Sequence, residues 1–288
     1  MQAVLIKTAI YSLALPALFT ALISIAPHLF FSSSQRDRQW KWLVPCTLGI
    51  SFIIGFLGHS GKFGFPPTRA MQWLPYVALA GVALGLLETS VAARLRLLPA
   101  VWAPRFLLAA LMAWLLLPAS AKREWTPLCE VAAIAITGLG VLLLITVSED
   151  ATAHAGSATG WLLLAVLTFA ASISLLLSGS VLLGQLAGTL ATALATCAAI
   201  SFFLPHFLPG NASVLFCAFV LSALLLCGVF LSELPKAAVP FLILAPLASR
   251  VAGLLDLKSP FAKLSVRCGA VGASTLPALW LAGKSAPF

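Results

Sequence analysis

Residues 161–204 form a run of 44 residues that holds no Asp, Glu, Lys or Arg. Drawn as one helix, that run would extend about 66 Å, twice the roughly 30 Å of a bilayer's hydrocarbon core. It is too long for one crossing and too apolar for a surface loop, so it has to fold back inside a membrane. Ser178-Gly179-Ser180 is where it can turn, because glycine reaches backbone angles closed to other residues and serine punctuates helices. The run therefore reads as two spans joined by a tight hinge.

The rest of the chain has the same character. Hydrophobic residues make up 61% of the 288 and charged residues only 9%, with a mean hydropathy of +1.07. Soluble domains carry about a quarter charged residues. At about 20 residues per span, the chain accommodates about ten spans and no folded soluble domain. The predicted fold class is all-α: one polytopic integral membrane helical bundle of about ten transmembrane helices, with nine and eleven as bounds. The spans fall near residues 8–31, 43–58, 74–91, 101–117, 127–147, 161–177, 181–204, 212–231, 237–257 and 266–283. The first reads as a retained helix, since Pro27 follows the one small-residue cleavage site, Ser24-Ile25-Ala26. Pro240 and Pro246 predict a kink or an unwound turn in the ninth.

Two polar stretches interrupt the pattern. Residues 59–73 contain Pro66-Pro67 beside Gly61 and Gly64, which excludes a regular helix and predicts a loop or a re-entrant segment. His59, Lys62 and Arg69 in it offer either an anion-binding mouth or plain headgroup contacts. Residues 149–160 carry acids and no Lys or Arg, and read as a loop joining possible pseudo-halves 1–148 and 161–288.

Seventeen Lys and Arg against eight Asp and Glu give a formal charge of +9. The basic residues sit mostly at the ends of apolar runs, where headgroups lie, and no basic stripe with interleaved aromatics exists, which argues against nucleic acid as a partner. Ten spans with the N-terminus outside place eight Lys and Arg in cytoplasmic loops against five outside. That bias favours this orientation, in a bacterial-type inner membrane.

Small residues mark the interior. Gly184, Gly188, Thr192 and Thr196 recur every fourth residue and so share one face of the seventh helix, where a neighbouring backbone can come close. With Gly81 and Gly85 of the third helix and Thr168, Ser172 and Ser174 of the sixth, they predict an interior built from helices three, six and seven. Gln185 and Thr189 are candidates for lining a polar cavity or for interhelical hydrogen bonds.

Charged residues inside apolar runs cost free energy unless paired or wetted. Arg250, just after Pro246, is the leading candidate for contact with an anionic substrate; the alternative is that it snorkels to headgroups or pairs structurally with Asp256 or Glu88. Glu88 and Arg105 flank a short turn between antiparallel helices and are placed to form an interfacial ion pair. Glu130 sits in the first turn of the fifth span, where the helix dipole favours a carboxylate.

Signatures of chemistry are missing. There is no GxSxG elbow, P-loop or paired carboxylate, so no catalytic residue is assigned. Four separate histidines (His28, His59, His154, His206) and six cysteines without a CxxC pair indicate neither metal nor cofactor.

Ten short spans with small residues and few charges resemble, in span count and length, the drug/metabolite transporter superfamily, whose members use two inverted five-helix repeats. The resemblance rests on no motif and carries over no residue roles. The leading functional expectation is a permease-like transporter of a small solute. The alternatives are a non-catalytic membrane subunit or scaffold docking partner helices, and then a membrane enzyme acting on lipid. Membrane lipids are the expected surroundings, and partner membrane subunits belong to the scaffold reading.

Overall fold

A computed structural model describes residues 6, 8–30, 33–60, 65–67, 69–91, 98–118, 125–204, 207–255 and 259–284. Among the described residues the chain is all helical, with no strand. Within these residues ten α-helices follow in order: α1 Leu15–Phe30, α2 Ser33–Ser60, α3 Leu74–Val91, α4 Leu98–Leu116, α5 Pro127–Ala153, α6 Ser157–Leu177, α7 Val181–Phe203, α8 Asn211–Leu231, α9 Ala238–Ala252 and α10 Pro260–Lys284. They coincide one for one with the predicted spans. Seven are long and apolar enough to cross a membrane, while α4 and α9 have shorter apolar stretches. Bulky apolar side chains such as Leu107, Ile136, Phe169 and Phe203 stand exposed, which water would disfavour and acyl chains accept. The protein is a membrane-embedded helical bundle.

A π-helix, Ala9–Ala14, leads into α1. It ends just before Pro16, which has no N–H to offer an α-helical bond, and the wider π turn is closed instead by Leu15 N–H to the Ile10 carbonyl. The hinge between α6 and α7 lies where glycine was needed: Gly179 has φ +87°, and the Ser180 hydroxyl accepts from Leu183 N–H to cap α7.

The interior differs in part from the sequence reading. Helices α6 and α7 pack against each other along their length, but the most deeply buried helix is α8, with 78% of its span enclosed, against 39% for α3. The physical reason lies on the neighbours. A Cβ on Gly81 would touch Phe219 and Phe216 at 3.5 and 3.6 Å, and one on Gly85 would come within 2.9 Å of the Ala212 carbonyl. Gly81 faces the rings of Phe216 and Phe219, and Gly85 lets the α8 backbone at Ala212 come close, so the glycine stripe marks the partner as central rather than its own helix.

Three local expectations also changed. Helix α2 begins at Ser33, so Arg36, Asp37, Arg38 and Lys41 belong to its N-terminal end rather than to a loop. Pro246 lies within a continuous α9, with no unwound turn. Helix α5 has 27 residues, about 40 Å, and runs on through residues 148–153 before a break at His154–Gly156, where Gly156 takes φ +79°. Most of the predicted acidic loop is thus the end of one helix and the start of the next.

Candidate functional site

The extension of α5 decides where the charges go. Glu149 and Asp150 sit at the C-terminal end of a helix, where the backbone dipole disfavours carboxylates. Neighbouring helices supply the compensating cations. Arg105 of α4 reaches Glu149, Arg250 of α9 reaches Asp150, and Arg267 of α10 donates from Nη1 to the His154 carbonyl just beyond the helix end.

Arg105 is the centre of this arrangement and is only 4% exposed. Its Nε and Nη2 donate to the two oxygens of Glu88, both at 2.7 Å, and its Nη1 and Nη2 donate to the two oxygens of Glu149 at 2.9 and 2.7 Å. Two carboxylates therefore occupy two edges of one guanidinium, each in the bidentate geometry that arginine favours. The Trp102 ring, one turn earlier on α4, lies 5.6 Å from the Arg105 Cζ. The cluster joins α3, α4 and α5 near one end of the bundle and holds one more acid than base. Sequence spacing suggested the Glu88 and Arg105 contact; Glu149 is the member it missed, because residues 149–160 read as a loop. The available signal was that the SEDATA segment holds no Gly or Pro to end the helix.

Arg250 takes a different place. Its Nε is 2.8 Å from the Asp150 Oδ2, with both side chains at least 40% exposed. Asp256, Lys258 and Lys62, along with Arg94 and Arg96, lie outside the described residues, as does His206; the side chain of His28 is likewise not described. His59 meets the segment before α1: Ser12 Oγ lies 2.7 Å from its Nε2, and Tyr11 meets its ring edge-on. Arg69 is exposed.

The α7 face is closed by packing. Ser172 Oγ donates to the Gly184 carbonyl at 2.7 Å, and a Cβ on Gly184 would fall 2.4 Å from Leu176 Cγ. Gly188 faces Ser172 more loosely, with 3.4 Å to its Oγ. Thr189 is fully buried, and its methyl fills the space a side chain on Gly55 of α2 would need. Gln185 Nε2 donates to Thr8 Oγ1 at 2.8 Å, tying α7 to the segment before α1. Thr189, Thr192 and Thr196 each donate back to the carbonyl four residues earlier, and the last two are half-buried.

Glu130 lies in the first turn of α5 and is half-buried. All six cysteines are free, and the described residues contain no group of three or more His, Cys, Asp or Glu able to hold a metal. No family model, curated protein or solved structure matches the chain.

Proposed function

We propose that this membrane-embedded protein is a non-catalytic subunit or scaffold, whose exposed apolar helix faces dock partner membrane helices. The observation that carries this reading is how the interior polar groups are used. Gln185 is bonded to Thr8, Thr189 is packed on Gly55, and Gly184 is pressed under Leu176, so the side chains best suited to line a path through the bundle hold helices together instead. Arg250, paired with Asp150, stands at the periphery. A bacterial-type inner membrane remains the proposed location.

A second reading, a permease-like transporter of a small solute, is favoured by the Glu88–Arg105–Glu149 cluster. Ionisable groups buried at the end of a bundle and bridging three helices are the kind of element that can exist in made and broken states. In that reading the described arrangement is one closed state.

Cysteine accessibility separates the two. Gln185→Cys and Thr189→Cys variants in lipid vesicles are treated with a membrane-impermeant maleimide, and labelled sites are located by mass spectrometry. A scaffold leaves both positions unlabelled from either side. Labelling at either position would overturn the sealed interior and establish a water path suited to transport.

A further inference from the structure

A groove of about 460 Å³ runs between α5, α8 and α9. That volume lies within the about 300–1,000 Å³ typical of small-molecule sites. Its walls are almost wholly apolar, with Ile136 and Val141 from α5, Leu225 from α8 and Ile243 from α9 among them. Among the described residues, Lys236 is the one charged residue that lines it. This lysine is exposed, and no carboxylate among the described residues pairs with it. Glu130 lies one turn nearer the start of α5 on the same side of the helix but is not part of the lining.

The groove has a wet end and a dry end. Lys236 precedes α9, Trp125 precedes α5, and Phe230 closes α8, with the Trp125 and Phe230 rings 6.2 Å apart. All three therefore mark one membrane face, where a lysine and a tryptophan are at home. From that face the lining continues along α5 as far as Val141, a rise of roughly 20 Å from Pro127. One leaflet contributes half of the hydrocarbon core, about 15 Å. The groove thus has the length of one acyl chain, a cation at the headgroup level and apolar walls below. A partner helix, about 10 Å or more across, needs far more room than this volume provides.

We propose that this groove is a binding site for an anionic phospholipid of the surrounding bilayer, with one acyl chain along α5 and the headgroup phosphate on the Lys236 ammonium. Gly140 makes the space: a Cβ placed there would meet only Ile243 Cδ1, at 3.6 Å, so a larger side chain enters the groove rather than a packed interface. The site is independent of whether the bundle acts as a scaffold or as a permease.

The test is native mass spectrometry of the full chain from equimolar phosphatidylglycerol and phosphatidylcholine with identical acyl chains. The wild type should retain one phosphatidylglycerol in about fivefold preference, the weight of one lysine near a membrane surface. Lys236→Gln should bring the two lipids to parity, and Lys236→Arg should keep the preference. Gly140→Leu should strip both lipids while the thermal melting curve stays normal. Equal retention by the wild type, or an unchanged preference in Lys236→Gln, would overturn the proposal. So would a lipid-free dimer dissociated by Gly140→Leu, which would make a second copy of the chain the occupant.

Discussion

Glu149 and Asp150 are consecutive carboxylates on α5, and they have opposite surroundings. Glu149, 21% exposed, turns inward to Arg105, whose side chain is 5% exposed, and shares it with Glu88, itself 12% exposed. Asp150 turns outward to Arg250, with side-chain exposures of 40% and 45%. The bond lengths are nearly the same, but the energetic weight is not. Solvent screens the outer pair, which is worth about 0.2–1 kcal/mol at most, whereas removing one partner of a buried cluster strands uncompensated charge and costs about 3–5 kcal/mol. Two residues adjacent in sequence thus divide into one that locks three helices and one that trims a surface.

Arg105→Leu is the strongest test of this contrast. It leaves the partly buried Glu88 and Glu149 without their cation and should destabilise the protein by about 3–5 kcal/mol in a detergent melting experiment. A triple Leu replacement at Glu88, Arg105 and Glu149 should recover most of that loss, because apolar groups of similar size carry no charge to strand. If the single variant melts like Arg250→Leu, the buried cluster has no special weight.

Glu149→Gln comes next. The amide keeps the shape but gives up charge-assisted bonds, for an expected loss of about 1.5–3 kcal/mol, while Asp150→Asn should lie within about 1 kcal/mol of wild type. Equal losses from the two neighbours would collapse the distinction between inside and outside.

Gly184→Leu supplies a benchmark free of charge. The new side chain has to displace Leu176 and approach the Ser172 carbonyl, so overpacking should cost about 1–3 kcal/mol. Gly188→Ala, facing only the Ser172 hydroxyl, should be nearly silent. Losses in Gly184→Leu should be insensitive to salt, and a melting series in added chloride would show it.

The smallest effect belongs to Arg250→Leu, at about 0.2–1 kcal/mol and shrinking as salt rises. A larger, salt-independent loss would mean that Arg250 has a buried role that its exposure does not suggest.

Periodicity and turn chemistry located the helices, though not every helix end. Ser178-Gly179-Ser180 became the hinge because only glycine holds φ +87° without strain, and the runs on either side became α6 and α7. The acidic stretch after Val147 misled, since polarity resembles a loop wherever the membrane boundary is unknown. Its residues are helical, and their charges are tolerated because arginines from α4 and α9 arrive beside them. The glycines of α3 were visible, but their partners were not: Phe216 and Phe219 opposite Gly81 and Ala212 opposite Gly85 lie more than 120 residues away in the chain.

The sequence alone determined that this chain is a membrane-embedded helical bundle, roughly how many helices it has, and where it turns, because those properties follow from local hydropathy and local backbone freedom. Only the tertiary structure decided which charges meet, which helix is innermost and which small residues face which large ones. Those are contacts between distant segments: Glu149 becomes a lock because Arg105 is opposite it, and Asp150 remains peripheral because the next residue on a helix points some 100° away.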